Sequence, residues 1–150
     1  MGVMSASDPH VLGPGLLPTP FTAAEIREAT GRGKTISIRV DLPDGTSSSR
    51  FNRFSGTDAD GATLERWSRE DRSDLTASRV TWLELQRHAA FDAETTSVST
   101  QSLSLPLGDV DCLRYDTEDG TFWFSLAHPG MPVQYESDDI RTTVVGVDHD

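Results

Sequence analysis

Residues 120–136 read GTFWFSLAHPGMPVQYE, and the way this stretch folds fixes the architecture around it. Phe122, Trp123 and Phe124 stand side by side, Pro129, Gly130 and Pro132 follow, and a second short apolar run closes the segment. As a strand, residues 121–126 put Phe122, Phe124 and Leu126 on one face and Trp123 and Ser125 on the other. Pro129 and Pro132 stiffen the connection, and Gly130 permits a tight bend. The stretch therefore predicts a hairpin that supplies the core. Phe122, Phe124 and Leu126 are expected to face the interior with Leu103, Leu105 and the helix residues Trp82 and Leu85. Each aromatic buried this way contributes about 1.5–3 kcal/mol. Trp123 points away from its neighbours. It either packs beneath another element or joins Met131 and Tyr135 in an exposed apolar surface.

Working outward, KTISIRVD (residues 34–41) alternates, with Ile36, Ile38 and Val40 on one face. Pro43-Asp44-Gly45 is a turn. SSRFNRFSG alternates less cleanly, with Phe51 and Arg53 opposite Asn52 and Phe54. A second turn at residues 58–61 returns the chain through ATLERWSRE, which makes a three-stranded meander. DRSDLTASR reads as a polar connection. Residues 95–108 form a long strand with Leu103, Leu105 and Leu107 on one face and Pro106 at an edge or bulge. VDCLRYD, the aromatic hairpin and RTTVVGVD complete the pattern.

Two helices are marked by their start signals. Thr22 and Glu25 form a capping box with a Phe21–Ile26 staple, which places a helix at about residues 23–30. Thr81 and Glu84, with Val80 and Leu85, repeat the device before WLELQRHAAF. Strands that neighbour one another along the chain argue for an antiparallel α+β fold. Residues 1–19 are rich in Gly, Pro and Ser and read as a flexible arm; residues 20–150 read as one domain.

The formal net charge is −11. Residues 109–150 carry ten of the acids and only Arg114 and Arg141 as bases. A phosphate backbone or an anionic membrane needs the opposite field, so neither is an expected partner. No run approaches the roughly 20 apolar residues of a membrane span. The first twenty residues hold no Lys or Arg and no long apolar segment, and Cys112 is the single cysteine. Both observations point to a cytoplasmic protein without a disulfide.

Motifs with defined chemistry are absent. GRGKT at residues 31–35 lacks the upstream glycine of a phosphate loop and sits between a helix and a strand, the reverse of the required order. DADG at residues 58–61 would put Gly56 and Trp67 at liganding positions of a calcium loop. His10, His88, His128 and His149 show no zinc spacing, so no metal or cofactor is expected. Cys112, between apolar neighbours in a strand, reads as a small buried hydrophobe.

LSLPLGDVDCLRY (residues 103–115), DGTFWFSLAHPGMPVQYE (residues 119–136) and RTTVVGVD (residues 141–148) resemble an uncharacterised family of bacterial domains. FNRFSGTDADGATLERW and TWLELQRHAAF fit the same family more loosely. That family is similar to the lipoprotein-carrier-like fold. The resemblance implies a strongly curved antiparallel sheet of about seven strands, an incomplete barrel wrapped on two short helices. It also implies an apolar hollow of the kind that holds acyl chains.

The resulting expectation is a non-catalytic module that binds a small hydrophobic or acyl ligand, lined by Trp82, Leu103, Leu105, Phe122, Phe124 and Leu126. The alternative is an interaction or dimerisation module with a self-filled core and an interface at Trp123, Met131 and Tyr135. A third reading is an enzyme using Cys112 or a carboxylate pair.

Overall fold

The computed structural model describes residues 8–31 and 33–149. Helix α1 spans Ala23–Thr30. Four strands follow: β1 (Lys34–Asp41), β2 (Ser47–Ser55), β3 (Gly61–Ser68) and β4 (Thr76–Thr81). Helix α2 (Trp82–Arg87) then leads to β5 (Ser97–Leu105), β6 (Gly108–Thr117), β7 (Gly120–Ser125), β8 (Gln134–Ser137) and β9 (Ile140–His149). All nine strands form one antiparallel sheet in the order β4-β3-β2-β1-β9-β8-β7-β6-β5.

This order is two meanders joined in the middle. The chain runs outward from β1 to β4, crosses by α2 to the far edge, and works back from β5 until β9 pairs with β1. The sheet is open, with β4 and β5 as its edges. Among the described residues the strand count is nine rather than about seven. The segment read as a polar connection is in part β4, whose residues are mostly exposed. An edge strand with no buried face shows no apolar alternation, so periodicity alone misses it. Pro106 and Leu107 are not strand residues. They form the two-residue turn between β5 and β6, where Leu105 pairs with Gly108.

Both helices begin as their capping boxes dictate. Thr22 and Thr81 each accept from the backbone N–H three residues on, and Glu25 and Glu84 reach back to the cap N–H. The two helices pack on one another and on the inner sheet face. The strand register defines that face. Ile36, Ile38 and Val40 of β1 align with Asn52 and Arg50 of β2 and with Val144 and Thr142 of β9. The row continues through Tyr135, Phe122 and Tyr115. A β-bulge between β1 and β9 at Ser37/Ile38 adds bend at the centre of the sheet. Close approach also shapes the β3–β4 edge. A Cβ on Gly61 would lie 2.0 Å from the Val80 carbonyl oxygen, so only glycine fits beside the strand that delivers α2.

Residues 1–7 of the expected arm lie outside the described residues, but residues 8–19 are tied into the fold. Leu16 bridges Asp92, the Leu17 N–H donates to the Phe91 carbonyl at 2.8 Å, and Thr19 is buried. Gln86 of α2 is the anchor. Its Oε1 accepts from the Ala23 N–H, and its Nε2 donates to the Pro9 carbonyl and Thr19 Oγ1. Composition reads this segment as loose because its partners lie some seventy residues away and leave no local pattern.

Candidate binding site

The core between the helices and the sheet is packed with aromatics. Phe124 is buried edge-on to Phe21 at 6.2 Å and to Tyr115 at 5.6 Å between ring centroids. Phe91, just beyond α2, projects into the same space. Its ring lies 5.0 Å from Tyr115, 5.2 Å from Phe122 and 6.3 Å from Phe124. The Tyr115 hydroxyl donates to the Pro18 carbonyl, and burial pushes its pKa up to about 12.

The structure divides the expected lining set. Trp82, Phe122 and Phe124 all belong to the core. Trp82 is buried, and its indole N–H donates to the Asp58 carbonyl, which pins α2 to the β2–β3 turn. Leu103 and Leu105 are half-buried, but Leu103 pairs with Val110, so both leucines share the face of Trp123 rather than that of Phe124. Leu126 is 56% exposed in the turn after β7, because the strand ends at Ser125 and the alternation ends with it.

The expected interface set divides as well. Trp123 is only 5% exposed. Its indole N–H donates to Gln101 Oε1 at 3.0 Å, and the Arg114 guanidinium lies 5.3 Å from the ring centroid. These two polar side chains from β5 and β6 cover it, so it offers no surface for a partner. Met131 and Tyr135 instead join a groove on the inner face.

The groove has a volume of about 220 Å³. Its floor is Ile36, Ile38 and Val40 of β1 with Val144 and Thr142 of β9. Met131, Pro132 and Tyr135 form one wall, and Tyr135 is held by stacking on Phe122 at 5.8 Å. Asn52 and Arg50 of β2 and Arg66 of β3 form the other. Asn52 is buried, and its Nδ2 donates to Met131 Sδ at 3.4 Å, a weak acceptor. Arg50 pairs with Asp74 at 3.4 Å. The readable signal was the inner parity of β2, where Phe54, Asn52, Arg50 and Ser48 pass from apolar to polar along one face.

Other chemistry is poorly provided for. Cys112 is buried; burial first, and Asp111 second, push its thiol pKa up, away from the reactive thiolate. Its Sγ lies a long 3.9 Å from the Val110 carbonyl oxygen. Among the described residues no group of three or more His, Cys, Asp or Glu side chains could hold a metal ion. No helix among them is long and apolar enough to cross a membrane. Behind the β7–β8 loop lies Lys34, 4% exposed, whose ammonium donates to the Pro129 carbonyl at 3.3 Å. Burial lowers its pKa to about 8. Nearby His128 is lowered too, by burial first and then by the charges of Lys34 and His149.

No protein-family model matches this sequence, and no curated protein matches it. The groove therefore carries the functional argument on its own geometry.

Proposed function

We propose that the protein is a non-catalytic module that binds a small hydrophobic ligand in the open part of its curved sheet, in the manner of a lipoprotein-carrier-like half-barrel. One observation carries this reading: Ile36, Ile38 and Val144, themselves only 4–7% exposed, form with the partly exposed Val40 the apolar base of an open groove, while Phe91 packs the space on the helix side. Ligand sites of drug size occupy roughly 300–1,000 Å³. A groove of about 220 Å³ suits a smaller molecule, or one that projects into solvent. The lining assigned here is the β1–β9 floor with Met131, Pro132 and Tyr135.

The test uses N-phenyl-1-naphthylamine, a neutral dye that brightens in apolar surroundings. The expected result is saturable 1:1 binding that Val40→Trp weakens at least tenfold. Val40 is partly exposed and lines the groove, so the indole is expected to fill the groove with little displacement of packed core, and Tm should move by only a few degrees. A dye that does not saturate, or that binds the variant equally well, rejects the reading.

A dimerisation module is the second reading, favoured by the β5 edge rather than by Trp123. No charge lies between Glu94 and Asp109, Val98 is 45% exposed, and among the described residues β5 pairs only with β6. Edges of this kind are normally blunted by charge, proline or a bulge. The fitting occupant is β5 of a second copy, added antiparallel. Light scattering that returns a monomer mass at every concentration removes this version.

A further inference from the structure

The walls of the groove differ in chemistry, and the register shows how. One row across the inner face runs Val144, Ile38, Arg50; the next runs Val147, Ile36, Asn52, Arg66. Each row passes from hydrocarbon on β9 and β1 to a guanidinium on β2 or β3. Arg66 stands directly opposite Asn52, with Arg50 on the diagonal, a spacing within which long side chains reach one another.

Charge is the second observation. The chain carries −11 overall, yet this rim holds two arginines. Arg50 shares its charge with Asp74, whereas Arg66 is exposed and has no ion-pair partner among the described residues. Among the described residues that line the groove and their ion-pair partners, two guanidiniums and one carboxylate leave a surplus of one positive charge beside the apolar floor. The third observation is Asn52. Its amide is 6% exposed, and among the described residues its only side-chain partner is the Met131 sulfur. A buried amide held by a thioether alone keeps unused hydrogen-bonding capacity.

We propose that the groove binds a small amphipathic carboxylate, its hydrocarbon on Ile36, Ile38 and Val144 and its carboxylate between Arg66 and Arg50, within reach of the Asn52 amide. This inference rests on the binding function proposed above and adds the head group. A single surplus charge matches a monoanion, and a guanidinium meets a carboxylate through paired N–H donors. The strongly negative chain is repelled by anionic bilayers, so the ligand is a free molecule rather than a membrane lipid.

Octanoate and 1-octanol differ mainly in head group, so calorimetric titration of the full chain with each isolates that term. Octanoate is expected to bind at least tenfold tighter at low salt. The preference should fall below threefold in Arg66→Gln and narrow in Arg50→Gln. It should also shrink as salt rises, because the arginine is exposed. Retained N-phenyl-1-naphthylamine binding by Arg66→Gln shows that the variant is folded and its groove intact. Equal affinities for octanoate and octanol, or a preference that survives both substitutions, overturn the carboxylate assignment while the dye result leaves the apolar site standing. If the dye, octanoate and octanol all fail to bind wild-type protein, the binding function and the carboxylate fall together.

Discussion

Replacing Phe124 by alanine is expected to destabilise the protein by about 3–5 kcal/mol and to leave N-phenyl-1-naphthylamine affinity unchanged in the fraction that folds. The ring is 2% exposed and makes edge contacts with Phe21 and Tyr115 and a tilted one with Phe91. These three partners come from the N-terminal segment, from β6 and from the turn after α2. Truncation would leave a cavity walled by separate elements that cannot collapse without moving the helices off the sheet. The loss is thus the transfer term plus a large cavity term. Against a typical total of roughly 5–15 kcal/mol, it removes a major share of the stability. Phe124 does not line the groove, so chemical denaturation and dye titration separate the two roles. If Phe124→Ala weakens dye binding several-fold while stability changes by less than about 1 kcal/mol, the ring is ligand lining, and the division of the hollow drawn here is wrong.

That division also explains what the sequence disclosed. Signals confined to a few neighbouring residues were legible. The capping boxes at Thr22 and Thr81 placed both helices, and Pro43-Asp44-Gly45 and the DADG turn placed hairpins. In the DADG turn Asp58 Oδ1 accepts from the Asp60 and Gly61 N–H groups, so its carboxylate is spent on the turn. The antiparallel α+β class follows from these pieces together. Features assembled across strands were not legible. Arg50 and Arg66 become neighbours only through the β2–β3 register, and Phe91 reaches Phe122 only because α2 carries the chain across the sheet. Alternation within residues 121–126 gave the right parity for Trp123, but it could not show that Gln101 and Arg114 cover that face. It also gave Leu126 an inward direction, which lapsed where the strand ended. Parity is a property of one strand. Burial depends on what the rest of the chain lays over it.

Lys34, the single lysine, is the other place where a large effect is expected, and here the effect depends on pH. The side chain is buried and donates to the Pro129 carbonyl, and among the described residues no carboxylate lies within ion-pairing distance. Burial lowers the pKa from 10.5 to about 8. The folded state therefore holds this proton less tightly than the unfolded chain does. Below pH 8 the lysine is charged in both states, and the fold carries the full desolvation penalty. Between pH 8 and 10.5 the unfolded chain binds more protons, so stability rises with pH; above 10.5 the penalty is gone. A shift of this size corresponds to a penalty on the order of 3 kcal/mol. Lys34→Met keeps the hydrocarbon stem and removes the charge. It also leaves the Pro129 carbonyl without this donor, a loss of about 1–3 kcal/mol. At pH 7 the two changes nearly offset, so the variant should be about as stable as wild type or somewhat more so. As pH rises toward 10.5, wild type should gain on the variant by an amount on the order of 3 kcal/mol, while other titrating groups, common to both proteins, cancel in the difference. Urea denaturation of the pair at half-unit pH steps measures this directly. A stability difference that stays constant from pH 7 to 10.5 means that the ammonium is solvated in the native state. The β7–β8 loop, which supplies Met131 and Pro132 to the groove, would then not be closed over a buried charge.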